Sequence, residues 1–318
     1  MVTGLLNKLS IPFASWYVDS PHLILRHYSE NLSQYLSIFL WDEDYIDIVK
    51  NLGFENVEYL PLGTDDHIFR PISRIPSRIS PLKNDISFVG NSMLLKTKSK
   101  LDKCGVNGNL KKYFLDVSKA YLETDHLIVR DMLREMFPAL YSEIEGYSDV
   151  ESLEYETAVT WHATLKYREA LVKKLEKFRP IIVGDHGWKK ILGKEFNIQS
   201  EMNYYQELPA FYNITKLNFN ATSRQMKQGI NQRIFDVPSC RGVVITDWTR
   251  QIENLMDPNK EIIAYKNADE IPELVGRLIS DREMRLRVSE AGYRRVKMEH
   301  TYCHRLDKLV NIMKERYK

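Results

Sequence analysis

Short apolar runs, each closed by a glycine, proline or polar turn, limit the fold more than anything else in this chain. IPFASWYVD (11–19) and VEYLPLG (57–63) are two such runs, and SIFLWDEDY (37–45) supplies another short apolar stretch. ISFVG (86–90), PIIVGDHGW (180–188), KLNFN (216–220), VVIT (243–246) and EIIAY (261–265) follow downstream. Each has the length of a strand and is too short for a helix. Helical patterns fall between them. YIDIVKNLGF (45–54) reads as a helix stopped by Gly53, and 115–178 is helical, with Leu165, Leu171, Val172, Leu175 and Phe178 at spacings of three or four. Asn267 and Glu270 suggest a capping box before IPELVGRLI, Asp281 starts a further helix, and Thr301 to Lys318 is a last amphipathic one. Strand, turn and helix in this alternation are the grammar of an α/β protein.

One segment breaks the alternation. In FRPISRIPSRISPLKND (69–85), Pro71, Pro76 and Pro81 recur among serines and arginines. Proline fixes φ and removes a donor, so this stretch reads as an extended linker. The resulting division is a first unit over 1–70, a linker over 71–85, a second unit over 86–300 and a C-terminal helix over 301–318. Residues 92–178 form a helical insertion in the second unit. Its start, 91–112, reads as a loop rich in lysine (Lys96, Lys98, Lys100, Lys103, Lys111, Lys112), either a solvated face or a patch for phosphate or acceptor.

Bulk properties exclude several classes. The 318 residues are 43% hydrophobic and 28% charged, enough for two domains with sizeable cores. A net charge of +2 spread along the chain does not suggest a nucleic-acid binder, which needs a clustered basic face. No apolar run reaches the ~18–20 residues of a membrane span, and MVTGLLNKLSIPF lacks the pattern of a signal peptide. Cys104, Cys240 and Cys303 are far apart and odd in number, which reads as free thiols in a reducing cytoplasm. The eight histidines form no HExxH, so a metal site has little support.

The stretch QGINQRIFDVPSCRGVVITD (228–247) carries the most chemistry. Gly229 permits unusual backbone angles, and Asn231 is a good N-cap for a helix over 232–240, which Pro238 should kink or shorten. Unpaired N–H groups at a helix start favour a phosphate. Arg233 and Asp236, three residues apart, share a face. They read either as a surface ion pair or as a cation for a diphosphate beside a carboxylate for a ribose diol.

The order N231-Q-R-x-F-D-V-P-S-C, G242-V-V-I-T-D, E261-I-I-x-Y, A291-G and E299-H-T-Y-x-H-R305 resembles the CgeB-type spore-maturation glycosyltransferases of the GT-B superfamily. Upstream, IPFASWYVDSP (11–21), YLPLGTDDHIFRP (59–71) and ISFVGN (86–91) are similar to further elements of that family. The similarity spans most of the chain outside 92–178, and NQRIFDVPSC is its most specific part. It implies a GT-B architecture, with two Rossmann-like domains facing a cleft and a nucleotide-sugar donor held mainly by the second. On that resemblance Asp236 takes the ribose, while Arg233 and the N–H groups near Gly229, Asn231 and Gln232 face the diphosphate. Gly90, Asn91, Gly184, Asp185, His186 and Gly187 belong to the same pocket. Trp188 or His186 contacts the base or sugar, with core packing the alternative for Trp188. Tyr204, Tyr205 and Tyr212 are packing residues and cleft walls.

Two departures stand out. Arg241 sits where the family commonly has a small residue, and either adds a phosphate contact or points outward. The first domain is also short, since only about 70 residues precede the linker where a Rossmann-like domain of this kind needs roughly 120–180. Its first strands and helices are expected to be absent, which would leave strand edges uncovered.

GT-B enzymes generally use no metal, so no cofactor is expected beyond the nucleotide-diphosphate sugar as donor substrate. Asp65-Asp66 reads as turn and cap chemistry. Asp19, at the end of the first strand, is the candidate general base, with an Asx turn before Pro21 as the alternative. The expected activity is metal-independent glycosyl transfer to a glycan, protein or lipid-linked acceptor; the alternative is an inactive nucleotide-sugar-binding scaffold. The expected location is cytoplasmic, with peripheral membrane contact through 96–112 left open.

Overall fold

The computed structural model describes residues 2–25 and 32–318. It contains two all-parallel sheets. The first has three strands, β1 (Phe13–Tyr17), β2 (Leu36–Leu40) and β3 (Val57–Tyr59), in the order β1-β2-β3. Every residue of β2 is buried, whereas β1 lies at an edge and is half-buried. The helix Ile46–Asn51 links β2 to β3 and ends at Gly53, whose φ of +98° is costly for any residue with a Cβ.

The second sheet has six strands: β4 (Asn84–Val89), β5 (Ile181–Val183), β6 (Asn197–Gln199), β7 (Thr215–Phe219), β8 (Val243–Asp247) and β9 (Ile263–Tyr265). Their order is β6-β5-β4-β7-β8-β9. β5 and β8 are buried throughout, which is why they read as unbroken apolar runs rather than as alternating ones. All six strands are parallel, but β5 and β6 are added on one side of β4 and β7, β8 and β9 on the other, so the strand order switches between β4 and β7. In open α/β sheets such a switch point is where a ligand crevice is expected, beyond the carboxyl ends of the two strands.

Six helices lie between β4 and β5. Residues 91–112, read from sequence as a loop, hold two of them, Leu94–Lys103 and Gly108–Lys112. Lysine is a good helix former, and the segment gains a face to bury: Thr97 is buried, Leu101 packs into the insertion's own core, and Lys100 pairs with Glu154 at 2.5 Å. The 25-residue helix Asp149–Lys173 is started by a reciprocal capping box between Ser148 and Glu151. Its first half packs Tyr155, Ala158, Val159 and Ala163 into the insertion core; its end packs Leu171 and Val172 against the second sheet. The Asn267 side chain caps a short turn by accepting from Asp269 N, but Glu270 reaches Lys266 N, so that box is not reciprocal.

A single hydrophobic core runs through both sheets' surroundings. Ile38, Leu40, Trp41 and Tyr45 of the first domain share it with Phe211, Ile234, Phe235 and Val237 of the second. Two carboxylates are buried in this seam. Asp236 accepts from Thr64 Oγ1 at 2.7 Å and from Tyr204 OH at 2.5 Å, and burial pushes its carboxyl up to about 7. Asp42, just after β2, accepts from Gln251 Nε2 at 2.6 Å and from Asp44 N through Oδ1, while its Oδ2 has no partner. Burial raises it to about 6.

The last helix, Tyr302–Arg316, crosses back onto the first domain. Arg305 fastens it. Its guanidinium donates to Pro61 O, Leu62 O and Glu299 O at 2.9–3.0 Å and to His300 Nδ1 at 2.8 Å. His300 Nε2 in turn donates to Leu255 O at 2.7 Å, and burial with the Arg305 charge holds the imidazole neutral, down to about 4. Further along, Arg316 pairs with Glu58 of β3.

Arg305→Ala strands four buried acceptors and should lower unfolding free energy by about 2–4 kcal/mol in chemical denaturation. Asp236→Asn should do the reverse, with a pH signature. The folded carboxyl sits above its unfolded value, so the folded state favours the proton, and stability is lost as pH rises through about 7. The Asn variant, which cannot ionise, should gain roughly 2–3 kcal/mol on the parent between pH 5 and pH 8. A constant difference across that range would rule out a buried, proton-favouring Asp236.

Candidate functional site

The crevice at the switch point is built from loops at the carboxyl ends of β4, β5, β7 and β8. After β4, Asn91 Oδ1 accepts from Met93 N at 2.8 Å and its amide donates to Glu201 at 3.2 Å. After β5, the main chain presses against this loop. A side chain at Gly184 would run into Gly90 O and the Trp188 ring, and one at Gly187 into Ser92 Oγ. Asp185 accepts from both Ser92 N (2.7 Å) and Ser92 Oγ (2.9 Å), which locks the two loops together. His186 stands exposed at the rim. Trp188 does not reach the crevice. It is fully buried edge-on to Phe88, with its indole N–H on Gly90 O at 2.8 Å, so the packing alternative holds.

After β7 the chain enters the loop that leads to the helix Arg233–Ser239. That helix is shorter than the 232–240 read from sequence, as the proline at 238 requires. Asn231 does cap it locally: its Oδ1 accepts from Arg233 N at 3.1 Å, and its amide donates to Asn220 at 3.0 Å. Gln232 reaches across to Tyr302 OH at 3.0 Å. Gly229 serves another purpose than the one its sequence context suggests. Its φ is not in the left-handed region; it is glycine because the main chain lies against the Asp42 carboxylate of the first domain, and a Cβ would collide with it.

Arg233 and Arg168 define the electrostatics. Arg168, on the long insertion helix, is buried and donates to Ala221 O (3.2 Å) and Asn91 O (2.8 Å), the loops that follow β7 and β4. Burial and the neighbouring Arg233 charge lower its guanidinium to about 9. The half-buried Arg233 at the start of its helix is thus near enough for its charge to oppose that of Arg168. Arg168 was not singled out by sequence reasoning, because it sits within a long helical pattern of mixed charge. Its only signal is that Thr164 and Arg168, four apart, share a face; Thr164 accepts from Arg224 N at 2.9 Å in the same β7 loop.

Asp236 is on the Arg233 face, as its spacing requires, and the arginine's charge favours its ionised form. Both its oxygens are engaged by Thr64 and Tyr204, however, and it is buried in the seam rather than open to the crevice. Tyr204 and Tyr212 pack on Phe69, which places them as walls. Arg241 points outward: it pairs with Glu290 at 2.5 Å and lies over the Tyr293 ring. Asp65 caps a turn through His67 N, and Asp66 pairs with Lys297, so neither faces the crevice chemistry. Asp19 is exposed beyond β1. Its Oδ1 accepts from Ser20 N at 3.0 Å and, across the cleft, from Gln225 Nε2 at 2.9 Å. Pro21, two residues on, has no N–H to close an Asx turn, so that alternative is not realised, while the Gln225 contact ties Asp19 to the loop after β7. Among the described residues no cluster of three metal-ligating side chains occurs, and no helix is long and apolar enough to cross a membrane.

Comparison with known proteins gives a consistent picture. Residues 166–311 match a family described as glycosyl transferase-like. No curated protein matches the sequence significantly. Among solved structures, a glycosyltransferase from Rickettsia africae aligns over 100% of this chain and 80% of its own, with a TM-score of 0.54 and 11% identity. Sucrose-phosphate synthase from Thermosynechococcus elongatus aligns over 98% and 70%, with a TM-score of 0.57 and 9% identity. Anabaena HepE in complex with UDP-glucose aligns over 99% and 75%, with a TM-score of 0.56 and 10% identity. The fold is that of the GT-B glycosyltransferases, and the stretch from residue 166 to 311 that resembles a glycosyl transferase-like family supplies Arg168, Arg233 and Asp236.

Proposed function

We propose that this chain moves a sugar from a nucleotide-diphosphate donor, held at the switch point of the second sheet, to an acceptor hydroxyl presented by the first domain. The observation that carries this is the buried Arg168 held on the loops after β4 and β7, with Arg233 beginning the helix that follows the second of those loops. Two guanidinium charges of which one is buried oppose one another, and a diphosphate between them would relieve that repulsion through charge-assisted hydrogen bonds. The same pair stabilises the diphosphate as charge develops on it during departure, so the reading needs no metal ion. Asn91, Asn231 and Gln232, with Gly90 and Gly184 allowing close main-chain approach, complete the donor side. His186 at the rim is the residue placed to meet the base. The UDP-glucose complex of HepE makes uridine donors the first to try.

Asp236 acts in this reading as the carboxylate nearest the ribose only if Thr64 and Tyr204 release it on donor binding. Asp19, with Gln225 holding its carboxylate across the cleft, is the proposed base on the acceptor. Within the wider family, NQRIFDVPSC supports the CgeB-type group, and a cytoplasmic site of action fits a nucleotide-sugar donor. A second reading, donor binding without transfer, is favoured by the same two engagements: Asp19 is bound to Gln225 and Asp236 to Thr64 and Tyr204.

Arg168→Ala and Arg233→Ala should each weaken UDP-sugar binding about 10–100-fold in calorimetry, from the loss of one charge-assisted contact. Unchanged affinity in both would remove the donor site from this crevice. Asp19→Asn should leave donor affinity alone and cut transfer or slow donor hydrolysis by about 10²-fold or more. Donor binding by the parent with no hydrolysis or transfer selects the second reading.

A further inference from the structure

A second concave surface lies at the opposite end of the second sheet, where β7 and β8 begin. One hollow of about 470 Å³ has Thr215 and Val243 at its floor and Lys83, Lys216, Arg241, Arg282 and Arg285 around it. A neighbouring hollow of about 500 Å³ shares Arg241 and adds Arg70 and Lys297. The length of β7 separates this groove from the donor crevice by about 15 Å, so the two are distinct.

The charges do not cancel. Lys216 pairs with Asp85 at 2.6 Å, Arg241 with Glu290 at 2.5 Å, and Lys297 with Asp66. Arg70, Lys83, Arg282 and Arg285 have no carboxylate at ion-pair distance among the described residues. Arg285 spends donors on Leu278 O and Ile279 O at 2.7 Å, which fixes its position without neutralising it. Four uncompensated cations on one groove are a strong local excess in a chain whose formal charge is only +2. Concave walls of low dielectric focus such a field, and guanidinium groups match oxyanions in shape as well as charge.

We propose that this groove binds a soluble polyanion carrying at least two phosphate, sulfate or carboxylate groups. The cations spread over two hollows joined at Arg241, so a single small anion would meet only part of them. A flat membrane cannot reach the recessed floor, where Thr215 and Val243 are nearly inaccessible, and Leu286 is the one large apolar side chain exposed at the first hollow. The inference stands apart from the glycosyl-transfer reading, since it uses none of the crevice residues.

The test is calorimetric titration of the whole chain with inorganic tripolyphosphate, in 50 mM and 300 mM salt. Binding should weaken at least tenfold at the higher salt and at least tenfold in a Lys83→Glu/Arg282→Glu double variant. Both side chains are exposed, and the melting temperature and UDP-sugar affinity of that variant should match the parent. Arg233→Ala, which weakens only the donor crevice, should keep the tripolyphosphate-binding event that the double variant loses. Loss of binding in Arg233→Ala but not in the double variant would place the anion in the donor crevice and overturn the proposal. So would no binding at millimolar tripolyphosphate, or capture by phosphatidylglycerol vesicles without binding of the soluble anion.

Discussion

The two domains are held by a carboxylate that neither can solvate. Asp236 leaves the second domain with its side chain turned into the common core, and Thr64 and Tyr204 each supply a hydrogen bond to one of its oxygens. Ionised, it would carry a charge in an apolar seam, a cost that burial expresses as a strong preference for the proton. Thr64 is itself fixed between domains: its N–H donates to His300 O at 3.0 Å and its carbonyl accepts from Tyr302 N at 2.9 Å. The start of the last helix and the donor-side helix thus meet at one residue. Asp42 repeats the arrangement from the other side, buried against Gln251 and Gly229 with one oxygen unpartnered. Such a seam is specific, because a shifted domain would leave both carboxylates worse off.

That constraint bears on the crevice. Holding Arg168 and Arg233 together is unfavourable in the free protein, and the fold supports it by anchoring Arg168 on two carbonyls of different loops. Preorganised charge of this kind costs stability and returns it as affinity for an anion, without reorganisation on binding. The pair therefore marks function more sharply than Asp236 does, since Asp236 has a structural explanation that accounts for all its contacts.

Much of the architecture was legible in the sequence because parallel strands buried on both faces must read as short apolar runs, and β4, β5, β7, β8 and β9 all do. β6 was not, for NIQ is three residues with a single apolar side chain. The lysine-rich 91–112 segment was read as a loop because its apolar positions are few; the helix there is set by packing on its neighbour, which no local pattern encodes. At the site, the 228–247 stretch announced itself through Asn231, Arg233 and the glycines. Its roles were less legible. Gly229 and Trp188 answer to main-chain approach and core packing, and such contacts are decided by residues far away in sequence, Asp42 and Gly90. Arg168 was invisible for the same reason: a helix reveals its apolar face, and a functional arginine on the other edge looks like solvated charge.

The insertion matters to the site for more than Arg168. Lys227, in the β7 loop, is buried with its ammonium on Tyr121 O and Thr124 O at 2.7 Å and over the Tyr121 ring. Those carbonyls close the end of the helix Phe114–Glu123, where a cation is favoured by the helix dipole. Burial and Arg224 nevertheless lower the lysine to about 7. The same loop is held from the first domain by Tyr45 OH on Gln225 O at 2.8 Å and by Trp41 against Met226. One short segment, 221–232, is therefore gripped by the first domain, the insertion and its own sheet at once. A loop fixed from three sides can present Asn231 and the start of the Arg233 helix in a constant relation to Arg168, and such preorganisation is what the proposed donor site needs.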